Sequence, residues 1–348
     1  VIPIEAGGRV TGRAGRYTLG VVNMQAAEEG PTPSTNFSVA RLRRDVLRKS
    51  SIGAIATRRS VATSGNGSNL AYGVDGAFAF YQNLSVNTYW ARTRSEGRGG
   101  DDQSYRAQLD YNADRYGLQV ERLGVGRNFN PAVGFVRRAG IDKSYAQARF
   151  SPRPRSSRFV RKYWFIGTMN NIETSAGRLD TRNRTGEFDM DFTNGDKFLL
   201  SVDNAFEHLS APFRIASGVT LPVGSYDWNN LHVGYNRAAR RRLTANMSVD
   251  YGTFYNGHKT GVTIGGGRAS VTPQIAFEPS YSLNRATLDQ GDFTTHLVGL
   301  RAIFTPSSFM FTSAFLQYNS STHNVSANLR LRWEYQPGSE VFVVFNED

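Results

Sequence analysis

Cysteine is absent from the 348 residues, which excludes disulfides and thiolate metal sites and is compatible with an oxidising compartment. Long apolar runs are absent as well. No stretch approaches the ~18 residues that a spanning helix requires. That excludes a membrane helix but leaves a membrane barrel open, because barrel strands are apolar only at alternate positions. No linker, low-complexity tract or break in composition divides the chain, so residues 1–348 read as one body. Signatures of catalysis are missing. The five histidines (His208, His232, His258, His296 and His323) are scattered without metal-ligand spacing. No GxSxG elbow, phosphate loop or dinucleotide fingerprint occurs in a strand-turn-helix setting. His232 near Asp227, or His296 near Asp292, could belong to a triad assembled from separate strands, but histidines without a catalytic role are the favoured reading. Neither catalytic residues, a metal nor a cofactor is therefore assigned.

What is present is alternation. Ala107, Leu109 and Tyr111 share one face, and Arg106, Gln108, Asp110 and Asn112 the other. Phe188, Met190 and Phe192 oppose Glu187, Asp189 and Asp191. Met247, Val249 and Tyr251 oppose Asn246, Ser248 and Asp250, and Leu329, Leu331 and Trp333 oppose Arg330, Arg332 and Glu334. About twenty such segments are legible, each near the ~9 to 11 residues that cross a bilayer at a tilt. A soluble sandwich also alternates, so number, length and aromatics near strand ends (Tyr17, Trp90, Tyr111, Tyr251, Trp333) weigh for an all-β, large antiparallel transmembrane barrel.

Connections support this by parity. After odd strands they read as tight, as at Arg13-Ala14, Tyr81-Gln82, Asn194-Gly195, Gly266 to Arg268 and Pro337-Gly338. After even strands they read as longer: Ala26 to Thr35, Val61 to Ser68, Ser95 to Gln103, Glu207 to Gly224, and Pro279 to Gly291, with a strand at 269–278 before the last. Short periplasmic turns and long extracellular loops fit an outer-membrane barrel, with two exceptions: Ser151 to Arg161 is long on the short side and Ser320 to Thr322 short on the long side. Parity also starts and ends the series at the outer face, which predicts one further flanking strand at each end and about 22 in the intact protein.

The formal charge is +12, from 41 Lys and Arg against 29 Asp and Glu, and Lys accounts for only 5 of the 41. Arg16, Arg43, Arg44, Arg48, Arg153, Arg155, Arg158, Arg240, Arg241 and Arg242 gather on the short-turn side. A basic rim facing lipid headgroups explains the excess without nucleic acid.

Gly124 to Arg138, GVGRNFNPAVGFVRR, interrupts the strands. Asn130-Pro131 removes a backbone donor, Gly126 and Gly134 permit unusual backbone angles, and Phe129, Phe135 and Val136 supply apolar contacts. The segment predicts an ordered loop folded into the mouth or lumen, and an ordered loop without ligand is favoured over a binding site. Arg127, Asn128, Phe129, Asn130, Pro131, Gly134, Phe135 and Arg137 form this signature. Together with Ile2-Pro3-Ile4 leading into Gly7-Gly8-Arg9-Val10-Thr11-Gly12, and with the stretch Arg332-Trp333-Glu334-Tyr335-Gln336-Pro337-Gly338, it resembles the DUF5916 family. The resemblance implies the barrel portion of large bacterial proteins in which a family 9-like carbohydrate-binding domain precedes an outer-membrane barrel. It implies no established activity.

The reading that follows is a barrel in the outer membrane of a Gram-negative-type bacterium. It contacts lipid or lipopolysaccharide and passes or docks a solute such as a carbohydrate. A membrane anchor engaging other envelope proteins is the alternative, with a TonB-dependent-type transporter and a barrel hydrolase as minor ones. Arg106, Asp110, Glu187, Asp189, Asp191, Asp203, Asp250, Arg330, Arg332 and Glu334 are the candidates for the lumen lining.

Overall fold

The computed structural model describes residues 2–62, 65, 67–238 and 243–347. Arg240, Arg241 and Arg242 of the basic turn lie outside the described residues. Among those described there is no helix. In chain order the strands are β1 (Ile4–Ala14), β2 (Tyr17–Ala26), β3 (Thr35–Val46), β4 (Ser50–Arg59), β5 (Asn69–Phe80), β6 (Leu84–Ser95), β7 (Gln103–Asn112) and β8 (Tyr116–Val125). Next come β9 (Ile141–Phe150), β10 (Val160–Thr174), β11 (Leu179–Phe192), β12 (Lys197–Leu209), β13 (Phe213–Ala216), β14 (Val219–Leu221) and β15 (Gly224–Arg237). The last are β16 (Ala245–Phe254), β17 (Gly257–Gly265), β18 (Ala269–Ser270), β19 (Ile275–Leu288), β20 (Gly291–Ser307), β21 (Met310–Asn319), β22 (Asn324–Gln336) and β23 (Ser339–Glu347). Twenty-one of them belong to one antiparallel sheet, and β13 with β14 form a separate hairpin. The all-β, roughly twenty-stranded expectation is met.

Two compact units divide the chain, residues 1–149 with 168–182 and residues 150–167 with 183–348. In the first, β1 to β8 pair strictly with their sequence neighbours. Short turns at 15–16, 47–49, 81–83 and 113–115 alternate with longer connections at 27–34, 60–68, 96–102 and 126–140, as parity predicts. One turn is shifted: Ala14 pairs Tyr17, so the reversal sits at Gly15-Arg16, where Gly15 has φ +57°, and Arg13-Ala14 is strand.

In the second unit β12, β15, β16, β17, β19, β20, β21, β22 and β23 pair in that order. Two expectations are corrected here, one of them in the alternation of the connections. The strand expected at 269–278 is broken into β18 and the start of β19, and Pro279 to Leu288, expected as loop, continues β19. The tight turn is Asp289-Gln290 instead. Pro279 is tolerated because it meets Leu300 on one side, while on the other the ladder is interrupted between Ile264↔Tyr281 and Ala269↔Phe277. A missing N–H costs no ladder bond at such a gap. The second correction concerns Glu207 to Gly224. β12 runs to Leu209, β15 starts at Gly224, and the connection between them is itself the β13–β14 hairpin.

The two faces are inverted relative to a water-soluble sheet. Along β7, Tyr105, Leu109 and Tyr111 are exposed while Ser104 is buried and Arg106, Gln108 and Asp110 are half-buried. Along β15 to β17, Leu231, Val233, Met247, Val249, Tyr251 and Ile264 are exposed. The buried polar residues include Glu121, Lys162, Asp189 and Asp191. Polar side chains are covered and apolar ones bare, the reverse of what the hydrophobic effect selects in water.

One apolar cluster breaks the rule. Leu209, Val219, Leu221 and Leu288 are buried together, with Ile215, Ala216, Tyr226, Phe254, Tyr255 and Phe293 packed around them. The β13–β14 hairpin therefore lies on the covered face of the second unit, at the ends of β12, β15, β16, β19 and β20. Tyr255, in the turn between β16 and β17, donates to Glu207 Oε2 at 2.7 Å. Burial first, and then this carboxylate, push its phenol above the ordinary range, so it remains a donor. Leu221 is 0 % exposed. Leu221→Ala is expected to cost about 2–4 kcal/mol of local hairpin stability, read as accelerated proteolysis within residues 210–223 while the sheet resists.

Candidate functional site

Residues 126–140 in the first unit show how a connection is fixed to the covered face. β8 ends at Val125, and Gly126 N donates to Gln103 O at 2.8 Å. A side chain here would place its Cβ 2.1 Å from the Asp101 carbonyl oxygen, so only glycine permits this close approach. Asp101 then accepts from Arg127 N at 2.8 Å and its Nε at 3.3 Å. Asn128 Nδ2 donates to the carbonyls of Gly99 and Gly100 at 3.0 and 2.8 Å. Thr93 Oγ1 accepts from Asn130 N at 3.0 Å. Asn69, 0 % exposed, donates through Nδ2 to Asn130 O at 2.8 Å and to Ser95 Oγ at 2.6 Å, and accepts from Ala132 N at 3.0 Å through Oδ1.

Asn69, Thr93 and Ser95 lie on the polar face of β5 and β6, so Asn128 to Ala132 is laced down onto that face. Pro131 fits because Asn130 and Ala132 make the bonds and position 131 needs no donor. The chain then turns back through a Gly134 N to Pro131 O bond of 2.8 Å. Phe129 is half-buried, whereas Phe135 is 87 % exposed and Arg137 is exposed. Arg138 pairs with Asp180.

The charged residues expected on one face fall into three groups. In the first unit Arg106 donates to Glu121 Oε2 at 2.7 Å and to Gln108 at 2.8 Å, and Lys143 reaches Glu121 Oε1 at 3.0 Å. Asp110 stands four residues along β7 on the same face. Arg41 and Asp75 bridge β3 to β5 nearby, with a second bond of 2.8 Å. In the second unit Glu187, Asp189 and Asp191 share one face of β11, and Lys197 lies 3.8 Å from both Asp189 and Asp191. Asp191 also accepts from Trp164 Nε1 at 3.0 Å and lies 3.6 Å from Arg161. Asp203 accepts from Thr185 at 2.6 Å and Ser201 at 3.2 Å. Asp250 bonds His232 Nδ1 at 2.9 Å and accepts from Asn230 at 3.4 Å. The third group stands apart. Arg330 and Arg332 are exposed on β22, Arg332 pairs with Glu340 of β23, and Glu334 accepts from Gly338 N at 3.2 Å.

Neither histidine pairing considered from sequence forms. His232 and Asp227 are separated by five positions on β15 and point to opposite faces, and Asp250 is the acid that His232 meets. His296 bonds the Tyr281 hydroxyl at 2.9 Å, while Asp292 is four residues away, ~13 Å along β20 at strand rise. Among the described residues no group of three His, Cys, Asp or Glu could hold a metal ion.

Sequence reasoning missed Asn69 and Thr93, whose partners lie 61 and 37 residues away. It also missed Glu121, Asp75, Lys143 and Trp228. For Glu121 and Asp75 the signal existed, since each falls on the polar positions of an alternating strand.

No protein-family model matches the chain, and no curated protein does. A comparison of folds aligns it with the crystal structure of Acinetobacter baumannii OccAB3 at TM-score 0.37 and 10% sequence identity, over 95% of this chain and 92% of that one.

Proposed function

We propose that this chain is an outer-membrane β-barrel of a Gram-negative-type bacterium whose polar face lines a passage for a small hydrophilic solute. The observation that supports it is the inversion of the faces. A sheet that bares Val249, Leu231 and Leu109 while covering Glu121, Asp189 and Asp191 is stable where hydrocarbon, and not water, meets its outer side. In a closed barrel the covered charges of both signs would set a transverse field across the passage, which small neutral or zwitterionic solutes cross more easily than large ions. The segment 126–134 folds onto the polar side of the first unit, and the β13–β14 hairpin onto that of the second.

The test is reconstitution of the detergent-purified full chain into planar bilayers. Stepwise conductance, together with swelling of liposomes in small sugars or amino acids, is the expected result. A chain that stays dissolved without detergent and gives no current would overturn the reading.

A second reading, an anchor that docks a partner, draws on the bare Phe135 beside Arg137 at the loop tip. It predicts a silent bilayer and a partner protein whose retention is lost in Phe135→Ala.

A further inference from the structure

A recess of 320 Å³ opens on the polar face of the second unit beside the β13–β14 hairpin. Its size is at the small end of the ~300–1,000 Å³ range of small-molecule sites. Trp228 and Phe254 form its aromatic wall. Their rings are 6.0 Å apart and nearly perpendicular, and Trp228 is held from behind by Tyr255 at 4.6 Å. Phe254 also packs against the hairpin cluster, so the wall is rigidly backed.

The remaining lining is polar and includes Asn183, Asp203, Asp250 and Lys259. Three groups in it have open bonding capacity. Both partners of Asp250 contact Oδ1, so Oδ2 is a free acceptor among the described residues. The Asn183 amide has no partner among the described residues. The Lys259 ammonium, 5.4 Å over the Phe254 ring, is in no ion pair among them.

We infer that this recess is a subsite for a monosaccharide, the pyranose lying against Trp228 and its hydroxyls donating to Asp203 and Asp250 while Lys259 and Asn183 donate to its oxygens. Two carboxylates against one ammonium leave the lining net negative, which disfavours an anionic solute. A neutral ring with hydroxyls on its rim and an apolar face fits both the acceptors and the indole. The inference names the solute of the passage proposed above and rests on that reading only for the route by which the sugar arrives.

The experiment titrates the detergent-solubilised full chain with D-glucose, and separately with L-alanine, by isothermal calorimetry and saturation-transfer NMR. Saturable glucose binding of the order of millimolar is expected. Trp228→Ala should weaken it at least ~tenfold, and the nearly isosteric Asp203→Asn, which preserves the fold if Trp228→Ala does not, about tenfold. Absence of saturable glucose binding, binding indifferent to Asp203→Asn, or tighter binding of L-alanine at the same residues would overturn the assignment. Conductance without glucose binding would sink the subsite and leave the channel standing. Glucose binding that depends on Trp228 and Asp203 in a silent bilayer would do the opposite.

Discussion

Val249→Arg should abolish or severely impair folding of the chain into phospholipid vesicles. Val249 sits in mid-strand on β16, 48 % exposed, and its cross-strand neighbours are Val233 and Val262. In water an arginine at such a bare position would change stability by less than about 0.5 kcal/mol. At the midplane of a bilayer the same change costs about 2–4 kcal/mol. The companion substitution Thr263→Arg, on the polar face of β17, should be tolerated. Gel mobility of unheated samples after refolding into vesicles separates the two cases. Equal tolerance of both variants would mean that the bare face meets water, and the membrane proposal would fall.

Asn69→Ala is expected to release the 126–134 segment, with amide exchange at Asn130 and Ala132 accelerating about 100-fold. The side chain satisfies one backbone acceptor and one backbone donor of that segment, and both are left unpaired by its removal. Each orphaned group costs ~1–3 kcal/mol, and two of them amount to roughly two orders of magnitude in local opening. The strands of the first unit should keep their protection, because Asn69 is the terminal residue of β5 and its backbone pairing with Ser95 is unaffected. Hydrogen exchange by mass spectrometry resolves this directly. Unchanged exchange at Ala132 would show that Asp101 and Thr93 alone hold the loop. If the passage exists, the same variant should also raise single-channel current.

The strands and the loop contacts differ in how legible they are in the sequence. The period of two in β7, β11, β16 and β22 was plain, since a one-residue slip would turn every side chain over and selection on both faces keeps the pattern clean. Connection lengths in the first unit were readable for the same reason, as turn residues bound each apolar series. The expectation of a loop from Pro279 fails because proline lacks a donor, and only the neighbouring strand reveals that no donor is needed there. The β13–β14 hairpin was hidden in a connection because its strands have four and three residues, too few for a period to show. The polar candidates on β7, β11, β12 and β16 were found through alternation, whereas Asn69 and Trp228 were not. Their significance comes from what the fold brings beside them, and nothing within a few residues of either announces it.

On the bare side of β8, Arg122 pairs with Asp142 at 3.2 Å, and Tyr105 donates to the same carboxylate at 3.1 Å. From Tyr116 to Arg122 is six residues, ~20 Å along the strand and less once it is inclined. Under the membrane reading proposed above, acyl tails would not cover this ion pair, and the apolar band on this flank would be shorter than the ~25 Å usual for such walls. On the same reading, such a pinched flank would favour short-chain lipids beside it and thin the leaflet there.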